Sequence, residues 1–457
     1  MGTARRDTAP APPAPTHSAS FPGPLHVAGI EVLSGAVVEA AEAAEHAVFD
    51  ERRRADRAIA NVLRHRRDLA APDHKFVAQA VFALLRWHGW VDALHLARAE
   101  ERLLASWLLD SPTVHPVCRH WAKLSGRDPG RLVAFGDAPS WTARAEGLKR
   151  WFGGRTLNAD PWRLFPDWMR DAVPLPPGSA APKARVLEFL ASLQKRPMLW
   201  VRAQGGDPAG IWAELREAGV APWIHRKMTG AARLDADADI YHLPAFESGR
   251  LEIQDLASQA VALVCDPDPG ERWWDACAGA GGKSLHLASL MNGRGVVVAT
   301  DASPVRLKEA VRRARRSPFR NITTKAWEGK GVAGKPKSFD GVLVDAPCTG
   351  VGTWRRNPDA RWSTDGEAVS RLAETQLKLL KGAAEGVKPG GVLVYSVCTV
   401  TPPETSLLVR RFLEERPDFR LDPFPSPLND AETNGTIQLW PQEIDADAMF
   451  IARMLRG

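Results

Sequence analysis

From Leu251 onward, short apolar runs alternate with amphipathic stretches, and no other feature of the chain narrows its fold as much. The runs are Arg272 to Cys277, Gly295 to Thr300, Phe339 to Asp345 and Gly391 to Val397. Between them, helical spacing holds near Ser284 to Met291, Val305 to Arg316 and Ala368 to Val387. Apolar runs this short, joined by crossover helices, build a parallel sheet covered on both faces. Ligands of such sheets sit at the carboxyl ends of the strands. An α/β, Rossmann-like domain is therefore expected over 249–457, with its site along one sheet edge.

Upstream the periodicity changes. From about Val48 to Leu109 apolar residues recur at helical spacing. Phe76, Val77, Ala80, Val81, Leu84 and Leu85 form one stripe there, with Asp73 as the expected N-cap after Pro72. A second helical stretch runs to about Arg170, so an all-helical domain is expected over 48–170. The proline-rich segment from Val173 to Pro182 reads as a linker. Next come a helix through Leu193, an apolar run from Pro197 to Arg202 and a helix from Pro208 to Ala218, which describe a small α+β module over 184–248. Met1 to Pro24 is rich in Pro, Ala, Ser and Thr and has no apolar signal core, so 1–30 is expected to be a disordered tail.

A chain of 457 residues exceeds one ordinary hydrophobic core, which fits this division. No run of about 18 apolar residues offers a membrane span. Five cysteines without a CxxC pair describe neither a disulfide framework nor a zinc finger, and a reducing, cytoplasmic setting is expected. Net charge +6 favours an anionic partner such as nucleic acid. Arg52, Arg53, Arg54 and Arg57 suit that role or a solvated helix face equally.

The segment Asp275-Ala276-Cys277-Ala278-Gly279-Ala280-Gly281-Gly282-Lys283-Ser284 joins the first strand to a helix, and its glycines let a ligand approach the backbone. A phosphate-binding P-loop would need glycine where Cys277 stands. A dinucleotide fingerprint starting at Gly279 and Gly281 would need glycine or alanine at Ser284. What remains is an adenosyl-methionine loop, in which one acid ends the first strand and a second ends the next. Asp301 suits the second role, since a carboxylate accepts both ribose hydroxyls; it could otherwise cap the helix after Ser303 and Pro304. Lys283 could hold the methionine end, hold a phosphate, or cap its own loop.

Two strands deliver cysteines to the same edge: Phe339 to Asp345 leads into Cys348, and Gly391 to Val397 leads into Cys398. Either thiol alone would pass for a small buried hydrophobe. Together they suit one reaction: carbon 5 of cytosine is a poor nucleophile until a thiolate adds to carbon 6 and makes the ring an enamine. Asp345 is placed to bond the exocyclic amine or ring nitrogen 3 and stabilise that charge. Spacing does not say which cysteine attacks. Trp354, Arg355 and Arg356 combine a stacking surface with charge, as single-strand binders do, or form an ordinary loop.

Several motifs resemble the Sun-type (RsmB-like) RNA cytosine-5 methyltransferases. They are Asp345-Ala346-Pro347-Cys348-Thr349-Gly350, Thr353 to Asp359, Lys388 to Gly391 and Tyr395 to Thr399, flanked by Gln254 to Ser258 and Asp447 to Ala452. The likeness covers roughly Gly249 to Arg456, and residues 48 to 130 resemble a NusB-like RNA-binding domain more weakly. It implies S-adenosyl-L-methionine as cofactor, held by Asp275 to Lys283, Asp301 and Asp345, and a ribosomal RNA substrate. It also makes Cys398 the nucleophile and Cys348 the partner that resolves the adduct, with the target base extruded from its stack. Glu328 stands where relatives place an aspartate for adenine, and Glu404-Thr405 replaces the commoner Glu-Asn. Ala280 stands where many members have proline. A transfer-RNA substrate and a non-catalytic assembly factor are the rival readings. Zinc held by Cys265, Cys277, Cys348 and Cys398 is disfavoured, because no two of them are spaced as close ligand pairs. No metal is expected, and a monomer is.

Overall fold

The computed structural model describes residues 29–136, 138, 140–153, 159–174, 182–235 and 238–457. The expected tail up to residue 28 and the expected linker over 175–181 lie outside them. No helix among the described residues is long and apolar enough to cross a membrane.

The helical part begins earlier than its periodicity suggested. Ile30–Glu45 is a helix whose Leu33, Val37, Ala40, Ala41 and Ala44 are buried. It packs against the helices Ala55–His65, Ala71–Asp92 and Pro116–Leu124. Its four buried alanines, Ala36, Ala40, Ala41 and Ala44, let the neighbours close in, and this small-residue pattern carries little hydrophobic signal in the sequence. All six residues of the Phe76 stripe are buried. Asp73 sits one turn inside its helix rather than at the cap, and its carboxylate accepts from the Ala70 N–H at 2.9 Å.

Next comes a four-stranded antiparallel sheet, built from β1 (Leu199–Ala203), β2 (Trp223–Ile224), β3 (Ala231–Leu234) and β4 (Leu251–Ile253) in the order β2-β3-β1-β4. β4 pairs with β1, so this module reaches Ile253, past the boundary expected at residue 248. The large sheet holds eight strands: β5 (Arg272–Asp275), β6 (Val296–Asp301), β7 (Ile322–Ala326), β8 (Phe339–Asp345), β9 (Val387–Val397), β10 (Phe419–Leu421), β11 (Thr436–Leu439) and β12 (Met449–Arg456). Their order is β10-β12-β9-β8-β5-β6-β7, with β11 on β12. β7 through β9 are parallel, whereas β12 runs antiparallel to β9.

The chain moves outward from β5 to β6 and β7, then returns to β8 on the other side of β5. A crevice opens where such a sheet reverses direction, here beyond the carboxyl ends of β5 and β8. Gly341 makes their pairing possible, since a Cβ there would fall 2.3 Å from the Trp273 ring.

Helical and catalytic parts share one core. Val351, Trp354, Val400, Trp440 and Ala448 pack in the cluster that contains Leu33, Trp87 and Leu193. Arg361, fully buried, donates to the carbonyls of Leu164, Leu193 and Trp354 at 3.0 to 3.2 Å. Asp110 accepts from Arg86 and Arg196, both at 2.6 Å, and from the Trp87 indole at 3.1 Å.

Candidate active site

β5 ends at Asp275, and the following turn leads into the helix Gly282–Leu290. The turn needs glycine at Gly281, where φ is +83° and a Cβ would stand 3.1 Å from that of Ala310. The Ala278 N–H donates to Thr300 and the Ala280 carbonyl accepts from Arg313, which fixes the turn's path. Asp275 is fully buried; its Oδ2 accepts from Ser284 at 2.6 Å, while its Oδ1 is buried without a protein partner. Burial pushes this carboxyl up to about 7. An ammonium would satisfy the orphaned oxygen and restore its charge, and the methionine half of adenosyl-methionine carries one. The residues of this loop therefore fit that cofactor.

Asp301 ends β6 on the same edge. Its Oδ2 accepts from the Gly279 N–H at 2.9 Å and its Oδ1 from the Ser303 N–H at 2.7 Å. Ser303, not Asp301, caps the helix Pro304–Arg316, since its Oγ accepts from the Arg306 N–H. A carboxylate offers about four acceptor sites, so two remain for ribose hydroxyls. Glu328 is exposed just beyond β7, at the same end of the sheet. The Cys277 thiol is pushed up by burial and then by Asp275, so it stays neutral.

β8 and β9 run side by side with Asp345 opposite Ser396, and each is followed by a cysteine loop. The Cys348 and Cys398 sulfurs stand 3.4 Å apart, both half-buried. Asp345 Oδ1 accepts from Ser396 at 2.8 Å, and Oδ2 accepts from Lys283 at 2.7 Å. Burial works against charge on Lys283, but Asp345 beside it, then Cys398, raise the ammonium above its ordinary value. Cys348 is pushed well up by its hydrogen bond to Cys398, then by burial and by the negative charges of Cys398 and Glu404.

Three features of this edge escaped sequence reasoning. Ser396 was findable, since parallel register sets it against Asp345. Asp255 and Asp447 converge from distant motifs: the Asp447 N–H donates to Asp255 Oδ2 at 3.1 Å, and Arg356 donates to Asp447 at 2.6 Å. Burial, then Asp447, pushes the Asp255 carboxyl up to about 7. Glu404, completely buried, accepts from the Thr349 N–H at 2.9 Å and from the Thr349 and Thr401 hydroxyls, each at 2.6 Å. The reading of Trp354 and Arg355 as an RNA-stacking surface is overturned. Trp354 is sealed in the shared core, and Arg355, 2% exposed, pairs with Asp445 at 2.9 Å. Only Arg356 of that trio reaches solvent, its side chain 49% exposed. Cys265 lies in the core, and among the described residues no cluster of three or more His, Cys, Asp or Glu side chains could hold a metal.

Fold and site together define a Rossmann-like methyltransferase. The family described as 16S rRNA methyltransferase RsmB/F matches residues 262–455. The probable ribosomal RNA small subunit methyltransferase B of Synechocystis sp. is 33% identical over 304 residues, 64% of this chain and 67% of that protein. Its Bacillus subtilis counterpart is 36% identical over 46% of this chain and 48% of its own length. The chain belongs to the RsmB/F family, and its matches span about half to two thirds of these relatives. Among solved structures, PH0851 superimposes with TM-score 0.71 at 23% identity, covering 93% of this chain and 98% of that one. A methyltransferase homolog protein from Pyrococcus horikoshii gives 0.51 at 24% identity, over 60% of this chain and 91% of that one.

Proposed function

We propose that this protein is an S-adenosyl-methionine-dependent RNA cytosine-5 methyltransferase that works through a covalent cysteine adduct on ribosomal RNA. The observation that carries this reading is the pair of sulfurs 3.4 Å apart at the sheet edge that also presents Asp345. The names of the small-subunit relatives support ribosomal RNA as substrate. The helical domain is read as the RNA-binding part, and the protein as a cytoplasmic monomer. Asp275 to Lys283, Asp301 and Asp345 line the cofactor's place, with Glu328 toward adenine.

In this cycle Cys398 attacks as a thiolate and Cys348 begins as the thiol. Cys398 adds to carbon 6 of an extruded cytosine, forming the S–C6 bond as the C5–C6 π pair moves into the ring. Asp345, aligned by Lys283 and Ser396, bonds the exocyclic amine or nitrogen 3. Adenosyl-methionine, when bound, supplies the methyl group that carbon 5 takes up. Cys398 is then a neutral thioether, so Cys348 loses its negative neighbour and releases its proton to solvent. Its thiolate takes the proton from carbon 5; the C–H pair restores the C5–C6 double bond, and the S–C6 pair returns to Cys398.

A 5-fluorocytosine RNA tests this, because fluorine in place of the C5 proton blocks the last step and traps the adduct. Wild-type protein with cofactor should give a covalent complex that Cys398→Ala abolishes. A Cys398→Ala protein that still traps RNA would reverse the two roles, and absence of trapping and of tritium release from carbon 5 in the wild type would overturn the reading.

A further inference from the structure

The two sulfurs are near neighbours of the same element, yet the chemistry asks one to be charged and the other to hold a proton. Their surroundings differ. Cys398 faces two cations: its charge stabilises both the Lys283 ammonium and the Arg356 guanidinium, the latter held above its ordinary value first by Asp447. For Cys348 the charges that act most strongly are those of Cys398 and, behind it, Glu404, and both raise it.

Glu404 lies in the short 3-10 turn Pro402–Glu404 that follows the Cys398 loop. Its Oε1 accepts from the Thr349 N–H and from Gln376, each at 2.9 Å. Its Oε2 accepts from the hydroxyls of Thr349 and Thr401, and from Thr399 at 3.4 Å. Thr349 follows Cys348 and Thr399 follows Cys398, so a single carboxylate ties the two sulfur-bearing loops together. The Thr349 and Thr399 hydroxyls also stand 2.9 Å from each other. Gln376 donates again to the Pro347 carbonyl at 2.9 Å, and the Tyr395 hydroxyl donates to the Glu404 carbonyl at 2.7 Å. Every one of these donors is neutral, and Glu404 forms no ion pair among the described residues. A buried charge held only by neutral donors keeps much of its field, and Cys348 is within reach of it.

We infer that Glu404 is a positioning residue that tells the two thiols apart, fixing the Cys348 loop against the Cys398 loop and setting an anion behind Cys348 so that the proton stays there and the thiolate forms on Cys398. Tyr395, buried beneath both loops, is raised by burial first and feels the same charges, so it remains a neutral donor. The charged groups around the pair are thus Glu404 on the Cys348 side and, on the Cys398 side, Lys283 and Arg356 together with their partners Asp345 and Asp447. This inference rests on the role given above to the cysteine pair, but its test needs no RNA.

The full chain, without RNA or cofactor, is alkylated with iodoacetamide from about pH 6 to about pH 10, and each cysteine is followed by peptide mass spectrometry. In the wild type, Cys348 should become reactive only at higher pH than Cys398. Glu404→Gln, whose amide can still meet the threonine hydroxyls, should move the Cys348 curve down by about one pH unit. Glu404→Asp keeps the charge and should restore the wild-type curve. A Cys348 profile that Glu404→Gln leaves in place, or that both variants shift alike, overturns the inference. Should Glu404→Gln not fold, a wild-type Cys348 that reacts at lower pH than Cys398 overturns it just as well. Thiols that behave as stated in a protein that never traps 5-fluorocytosine RNA would sink the cytosine reading and leave this one standing.

Discussion

Lys283 donates to Asp345 across 2.7 Å, a bond that spans the crevice between β5 and β8 and joins the glycine turn to the strand leading to Cys348. The glycine turn and the carboxylate proposed to meet the base are therefore held by one ion pair. Lys283→Met should lower single-turnover methylation of RNA about 100-fold or more. Adduct trapping should slow in parallel, because Asp345 loses its orientation before the ring is attacked. A variant that methylates at the wild-type rate removes the pair from the mechanism.

Asp275 makes stability depend on pH in an unusual direction. Burial pushes its carboxyl from an ordinary 3.8 up to about 7, so the folded protein keeps a proton that the unfolded chain gives up. Stability from this group is present below about pH 4 and is lost as pH rises toward 7, by an amount on the order of a few kcal/mol. Asp275→Asn should flatten that decline, as read from urea midpoints at acid and neutral pH. Asp255, raised likewise, leaves a residual slope. An unchanged slope in Asp275→Asn means the carboxyl is not held neutral.

The buried Asp110 behaves oppositely. Burial alone would raise its carboxyl, but Arg86 and Arg196 outweigh that and bring it down to about 2. Its contribution is full above the unfolded value near 3.8 and fades as pH falls toward 2. Asp110→Ala would leave Arg86 buried and unpaired, with an expected loss of about 3–5 kcal/mol in urea unfolding at neutral pH. A loss under about 1 kcal/mol would mean that the arginines find other partners.

Trp354→Ala opens a cavity where the helical and catalytic parts meet. A loss of about 3–5 kcal/mol is expected, with calorimetry resolving two transitions where the wild type shows one. A single transition at the wild-type temperature would show that the shared core does not couple the two parts.

Much of the candidate site's placement was readable because strand ends are readable. Asp275, Asp301, Asp345, Cys348 and Cys398 each close or follow an apolar run, and parallel topology brings such positions to one edge whatever the details of the helices. β7 was missed because Ile322–Ala326 carries three polar residues in a row, Thr323 to Lys325, at the rim of the sheet. Trp354 and Arg355 were misread because an aromatic beside arginines looks the same in a sequence whether it faces RNA or a second domain. Glu404 showed in the sequence only as half of the Glu-Thr pair that replaces Glu-Asn: its importance lies in Thr349 and Gln376, which come near only after β8 and β9 pair. Burial by distant chain is set by tertiary packing, and local pattern does not record it.

The indole of Trp354 has a wider meaning for how this molecule can be altered. It belongs by sequence to the loop after Cys348, yet it is housed among the amino-terminal helices, so the head of the protein anchors the loop that carries that sulfur. A fragment trimmed to the sheet would leave that ring wet and the loop behind it slack. Grafting a foreign head onto the sheet would have to rebuild this socket before the loop could settle beside its neighbour.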